Sequence, residues 1–176
     1  KNDPSLSDEE IQAISTWART GTPKGDPADA PEPLVFDDSI KWSLGEPDIV
    51  VRTNPVTKLA GTPDWWGEID RVPIPLDEDR YVKSVEIVEV NDVPTAGTGR
   101  ETVGGRYIFH HMIWGTAVLD EDGNRVGDTT GWPVHEVGRN PDIFDPEAGR
   151  LLRAGSYVVS DSVHLHSNGR DTTGYL

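Results

Sequence analysis

The chain's five histidines are the residues best suited to chemistry, and all of them lie between residues 110 and 166. His110 and His111 are adjacent, His164 and His166 are separated by one residue, and His135 stands alone between the pairs. Neutral imidazole is a ligand for copper and zinc. The chain has no cysteine, which excludes disulfides, thiolate metal sites and cysteine nucleophiles. Metal binding by histidine is therefore the first hypothesis.

The first histidine pair lies in an apolar run, residues 106–114, whose composition favours a β-strand. Burying two imidazoles costs free energy unless each finds a partner, and a metal ion can engage both. Neighbouring residues of a regular strand point to opposite faces, so His110 and His111 can bind one ion together only if the strand bulges there. Without a bulge, one of them joins the second pair and the other packs elsewhere. Met112 could add a thioether ligand, although packing in the core is its more common role.

The second pair, His164 and His166, has the spacing that places both side chains on one face of a strand, about 6.6 Å apart. Several imidazoles without thiolates, and with few carboxylates nearby in sequence, favour copper or zinc over calcium or magnesium. The sequence thus predicts a metal site formed by His110, His111, His164 and His166.

His135 has no second histidine close to it in sequence. It is followed by Glu136, but Arg139 occupies the second histidine position of an H-E-x-x-H motif, so a zincin site is excluded. A fourth metal ligand, a residue that supports a ligand, and a plain surface histidine all remain open for His135. We favour the roles in which it does not bind the metal.

The elements that must position these histidines are predicted to be β-strands. Short runs rich in Val, Ile, Tyr and Trp are separated by Pro, Gly, Asn and Asp, and a hairpin with an Asp-Gly turn is predicted at residues 116–126. No helical pattern appears after Gly21. We therefore expect an all-β antiparallel jelly roll or β-sandwich over residues 34–176. The predicted runs are residues 48–52, 81–90, 106–119 and 155–165.

The N-terminal segment has a different character. Ser7 and Glu10 form a predicted capping box that opens a helix of about 12 residues, and Gly21 and Pro23 end it. A Pro-rich linker follows, so we predict a first region of residues 1–33 and a β domain of residues 34–176. An isolated helix of this length is marginal in water, and we expect its apolar face to dock on the following domain or on a preceding one.

Composition limits the partners. The 176 residues carry 16 Lys and Arg against 31 Asp and Glu, a net charge of −15. This charge argues against nucleic acid and anionic membrane surfaces. No apolar run approaches the roughly 18 residues of a membrane span, and no signal peptide is evident. Because the chain begins at Lys1, we expect a processed protein or a piece of a longer one.

Several segments resemble a known family. Residues 109–113, Phe-His-His-Met-Ile, resemble the His-His-Met strand of the copper type II, ascorbate-dependent monooxygenases, which include peptidylglycine α-hydroxylating monooxygenase and dopamine β-monooxygenase. Residues 44–50 resemble the segment that opens the domain in bacterial relatives, and residues 155–169 resemble the later strand that supplies a third histidine. Residues 6–26 resemble the tail of a c-type cytochrome domain.

The resemblance implies an eight-stranded antiparallel jelly roll that binds one electron-storing copper through His110, His111 and His164. It also implies partners, namely a second copper domain that carries out the hydroxylation or a cytochrome domain. Leu165 stands where the family has an aromatic residue, the family's cysteines are absent, and His166 is an additional possible ligand. We expect no hydroxylation by this chain alone, and a periplasmic or extracellular location.

Two alternatives compete with this interpretation. The chain could be a non-catalytic metal-binding or structural β-module of an extracellular assembly, which associates with further copies through exposed strand edges. A zinc-dependent hydrolase is a weaker alternative, since the sequence indicates no general base.

Overall fold

The computed structural model of the chain describes residues 5–32, 42–94, 102–138 and 141–176. They belong to two compact units, Lys1–Asp37 and Asp38–Leu176. The predicted boundary at residue 33 lies outside the described residues and stays a prediction. Within these ranges, no helix has both the length and the apolar character needed to traverse a membrane.

The first unit contains helix α1 (Asp8–Arg19) and a short 3₁₀ turn (Pro27–Asp29). The predicted capping box is confirmed: the Glu10 amide donates to Ser7 Oγ at 3.3 Å, and the Ser7 amide donates to Glu10 Oε2 at 2.8 Å. Gly21, with a φ of +85°, follows the helix as predicted. The apolar side chains of α1 remain about half exposed; they are Ile11, Ile14 and Trp17.

The second unit is an all-β antiparallel sandwich, which confirms the predicted fold class. Its one helix in the described ranges is a single turn, α2 (Val103–Arg106), which was not predicted because four residues with two glycines carry no helical periodicity. The strands are β1 (Val56–Lys58), β2 (Trp65–Gly67), β3 (Val72–Pro73), β4 (Arg80–Val82), β5 (Ser84–Val85), β6 (Val90–Asn91), β7 (Phe109–Leu119), β8 (Arg125–Gly131), β9 (His135–Glu136), β10 (Asp142–Ile143), β11 (Arg150–Leu152), β12 (Ser156–Leu165) and β13 (Thr172–Tyr175).

Three of the predicted runs need correction. Residues 48–52 form no strand, and residues 81–90 are divided among β4, β5 and β6. The run that was predicted to begin at Arg106 becomes a strand only at Phe109, because Arg106 ends α2. The predicted hairpin is confirmed, with Leu119 paired to Arg125 across a turn in which Gly123 has a φ of +79°.

The largest sheet places β7, which carries His110 and His111, beside β12, which carries His164. Its order is β2-β12-β7-β8, with β3 also paired to β12 and β9 also paired to β7. β7 and β12 are the longest strands, at 11 and 10 residues. The smaller sheets are β1-β13-β6, β10-β5 and β11-β4.

One face of β7 and β12 packs on a hydrophobic core. Ile108 and Phe109 are fully buried, and Met112 is 2% exposed within the same cluster, so its side chain has the packing role that we favoured. Val163 and Leu165 of β12 complete the contact from the neighbouring strand. Packing on this core thus anchors β7 and β12 next to the histidines.

Candidate metal centre

A β-bulge in β7 brings the first histidine pair together. In the register between β7 and β12, His164 faces His111 and Leu165 faces Phe109, so His110 is an extra residue without a partner. The ring centroids of His110 and His111 are 4.2 Å apart at an interplanar angle of 83°. The bulge that a shared site requires is therefore present at the position where it is needed.

A buried carboxylate anchors the chain that enters this bulge. The amides of Ile108 and Phe109 each donate to the carboxylate of Glu89 at 2.9 Å, and Asn91 Nδ2 donates to it at 2.7 Å. Burial raises the pKa of Glu89, and these hydrogen bonds oppose the shift. Because charge-assisted hydrogen bonds are strong, Glu89 fixes the backbone immediately before His110.

Three imidazoles converge on one point. Ligand nitrogens of His110, His111 and His164 all lie within 4.8 Å of one another. Two nitrogens that each lie about 2.1 Å from one ion can be at most about 4.2 Å apart. The three nitrogens therefore lie close to the spacing that a shared metal ion requires.

His166 adjoins this triad from the end of β12. Its amide donates to the carbonyl of Ile108 at 3.0 Å, and its ring centroid lies 5.1 Å from that of His110. Burial lowers the pKa of His166. All four predicted ligands thus lie in one histidine cluster (His110, His111, His164 and His166), with His166 beside the group of three.

Several buried ring nitrogens of the histidine cluster lack a hydrogen-bond partner among the residues that the structure describes. Within the described ranges, three buried nitrogens of the cluster have no hydrogen-bond partner: His110 Nδ1, His164 Nδ1 and His166 Nε2. A buried polar atom without a partner costs about 1–3 kcal/mol, and native proteins contain few of them. Coordination of a metal ion by their lone pairs would satisfy such nitrogens, so the residues present fit a metal.

The electrostatics of the cluster favour the uncharged rings that metals require. Burial lowers the pKa of His110 below its ordinary 6.5, and the positive charges of His111, His164 and His166 lower it further. Only the Asp64 carboxylate acts in the opposite direction among the main causes. Since a protonated ring cannot bind a metal, the lowered pKa allows His110 to bind a metal ion at lower pH.

Two residues of the β1–β2 connection and of β2 support His164. Asp64 Oδ2 lies 2.8 Å from His164 Nε2, and the Trp66 ring stacks on the His164 ring with centroids 4.1 Å apart and an interplanar angle of 5°. The hydrogen bond to His164 lowers the pKa of Asp64. Sequence reasoning missed both residues, because nothing in their spacing links them to a histidine 100 positions away.

His135 lies apart from the histidine cluster. It stands on β9 directly opposite Met112, whose side chain packs in the core. Because cross-strand partners share a face of the sheet, His135 faces the core, whereas His111 faces the other side. The predicted surface role of His135 is wrong, since the residue is only 7% exposed, and whether it supports or binds a metal stays a prediction.

Comparisons with protein-family models, with curated proteins and with solved structures find no match to this chain.

Proposed function

We propose that the β domain binds one copper ion through His110, His111 and His164, and acts as the electron-transfer part of a monooxygenase-like protein. The observation that carries this proposal is the convergence of the three rings at the β7 bulge, with ligand nitrogens within 4.8 Å of one another. The unsatisfied nitrogens of His110 and His164 support it independently. A bound copper ion would supply one-electron redox chemistry.

The chain's own residues determine what such a site can do. Imidazoles are compatible with both common oxidation states of copper, and a ligand set without thiolate also suits zinc. Glu89 fixes the backbone that carries His110 and His111, and Trp66 covers His164 while remaining 57% exposed. A partner that exchanges electrons, such as a second copper domain or a cytochrome domain, and a periplasmic or extracellular location belong to the same proposal.

Metal analysis of the purified chain tests this proposal. The protein is loaded with copper(II) or zinc(II), freed of excess ion, and assayed by mass spectrometry for metal per chain, together with His110→Ala and His164→Ala. We expect about one copper per wild-type chain and a loss of most of it in both variants. His135→Asn is the matched control, since it removes a buried histidine from the other face of the sheet and should leave the stoichiometry unchanged.

The alternatives give different results. Full copper retention in both alanine variants would refute the site. Binding of zinc with no copper preference, or a copper centre that no reductant can cycle, would refute the electron-transfer function and favour a structural metal. Concentration-dependent self-association of a protein that binds neither metal would favour the structural β-module.

A further inference from the structure

The contact between Asp64 and His164 determines which nitrogen of the His164 ring carries the proton. A carboxylate near neutral pH only accepts hydrogen bonds, so His164 Nε2 must carry the proton that it shares with Asp64 Oδ2 at 2.8 Å. In a neutral imidazole the other nitrogen then bears the lone pair. That nitrogen, His164 Nδ1, is one of the buried side-chain atoms without a hydrogen-bond partner in the described part of the chain.

The segment that carries Asp64 is anchored on two sides. Lys58 is 5% exposed and its Nζ donates to the carbonyl of Pro63, the residue before Asp64. The amide of Gly61 donates to Ser167 Oγ at 3.1 Å, next to His166. Asp64 itself is exposed, but its backbone is held against the segment that follows β12.

A second contact limits the rotation of the His164 ring. Trp66 lies opposite His164 in the pairing of β2 with β12, and its ring stacks flat on the imidazole. Stacking determines the plane of the ring, whereas the hydrogen bond to Asp64 determines which edge faces outward. With Nε2 bound to Asp64, Nδ1 is the buried nitrogen of the ring, and the rings of His110 and His111 lie close by, with centroids 4.9 and 5.7 Å from that of His164.

From these contacts we infer that Asp64 is a positioning residue of the centre, which holds His164 in the Nε2-protonated form and presents Nδ1 as the metal ligand. The metal-binding half of this inference rests on the proposed function, whereas the tautomer half does not. Carboxylates that hydrogen-bond to a ligating histidine raise its basicity, and their loss lowers metal affinity about 10- to 100-fold. Asp64 therefore tunes how strongly the centre holds its ion.

The test compares Asp64→Ala and Asp64→Asn with the wild type. Nitrogen-15 NMR of the metal-free protein reports the His164 tautomer, and competition with a chelator of known affinity reports copper(II) binding. We expect Asp64→Ala to populate both tautomers and to bind copper 10- to 100-fold more weakly. Asp64→Asn, whose amide oxygen still accepts from Nε2, should keep the tautomer and lose less affinity. A merely structural role would not produce this difference.

Asp70→Ala is the matched control, because Asp70 is another exposed aspartate of the same region and pairs with Asn54 at 2.7 Å. It should change neither readout. The inference fails if His164 keeps the Nε2-protonated form in Asp64→Ala, or if copper affinity is equal in that variant and the wild type. If the wild type binds no copper while the tautomer still shifts in Asp64→Ala, the proposed function fails and the tautomer assignment stands.

Discussion

His110→Leu and the wild type should exchange their order of stability when metal is added. His110 Nδ1 is buried without a partner within the described residues, so the metal-free wild type bears the cost of an unsatisfied polar atom. Leucine removes that cost, and it also removes a ligand. We therefore expect His110→Leu to be at least as stable as the wild type without metal, and less stable than the wild type with metal.

The expected magnitudes follow from these contacts. Removing one unsatisfied buried nitrogen stabilises by about 1–3 kcal/mol, and imperfect packing of leucine takes back up to about 1.5 kcal/mol. Metal at 1,000 times its dissociation constant stabilises a protein that binds it by about 4.1 kcal/mol. For a protein of this size, 1 kcal/mol corresponds to about 2–4 °C in the melting temperature. Saturating metal should therefore raise the wild-type melting temperature by about 8–16 °C and leave that of His110→Leu unchanged.

Differential scanning calorimetry with and without copper(II) measures the stability of the metal-free proteins and the rise in melting temperature with metal. The same experiment with zinc(II) shows whether the site prefers one of the two metals. A metal-free His110→Leu variant that is less stable than the wild type by more than about 0.5 kcal/mol would refute the expected gain. An equal rise of both melting temperatures with metal would contradict the role of His110 as a ligand.

Further predictions concern pH, the Glu89 anchor and the hairpin. Burial lowers the pKa of His110 and His166 below 6.5, so the unfolded metal-free chain binds more protons than the folded chain below that pH. The free energy of unfolding should therefore fall as the pH drops from 6.5 through the lowered pKa values. Denaturation at several pH values checks this, and the dependence of stability on pH should be smaller in His110→Leu. Glu89→Ala leaves two buried amides without an acceptor and should lower the free energy of unfolding by about 2 kcal/mol or more. It should also weaken copper binding in the chelator competition. Unchanged stability in urea would contradict the anchoring role. Gly123→Ala, at a φ of +79°, should cost about 1–2 kcal/mol without any change in copper affinity, which makes it a control for general destabilisation.

Much of the fold was predictable because it depends on local signals. The capping box at Ser7 and the hairpin turn at Gly123 each involve residues a few positions apart, and both are confirmed. The run at residues 48–52 has strand composition but forms no strand, because pairing depends on a neighbour that local sequence does not specify. The division of residues 81–90 into three strands has the same origin, since each pairs with a different partner: β4 with β11, β5 with β10 and β6 with β13.

The histidines that form the candidate site were predictable from the sequence, and the residues that support them were not. Histidine is rare enough that two pairs on apolar strands indicate metal binding, and the structure brings all four of those residues into one cluster. The requirement for a bulge at His110 followed from strand geometry, but its presence depends on the register of β7 against β12. Asp64 and Glu89 are two of 31 acidic residues, and only the folded chain distinguishes them from the solvated surface.

A crystal structure of the copper-loaded chain, with anomalous data collected at the copper edge, tests copper binding by the histidine cluster directly. We expect one strong anomalous peak per chain, within bonding distance of His164 Nδ1 and of nitrogens of His110 and His111, with Asp64 still hydrogen-bonded to His164 Nε2. A peak located elsewhere, or a cluster that stays without copper at saturating concentration, would contradict it.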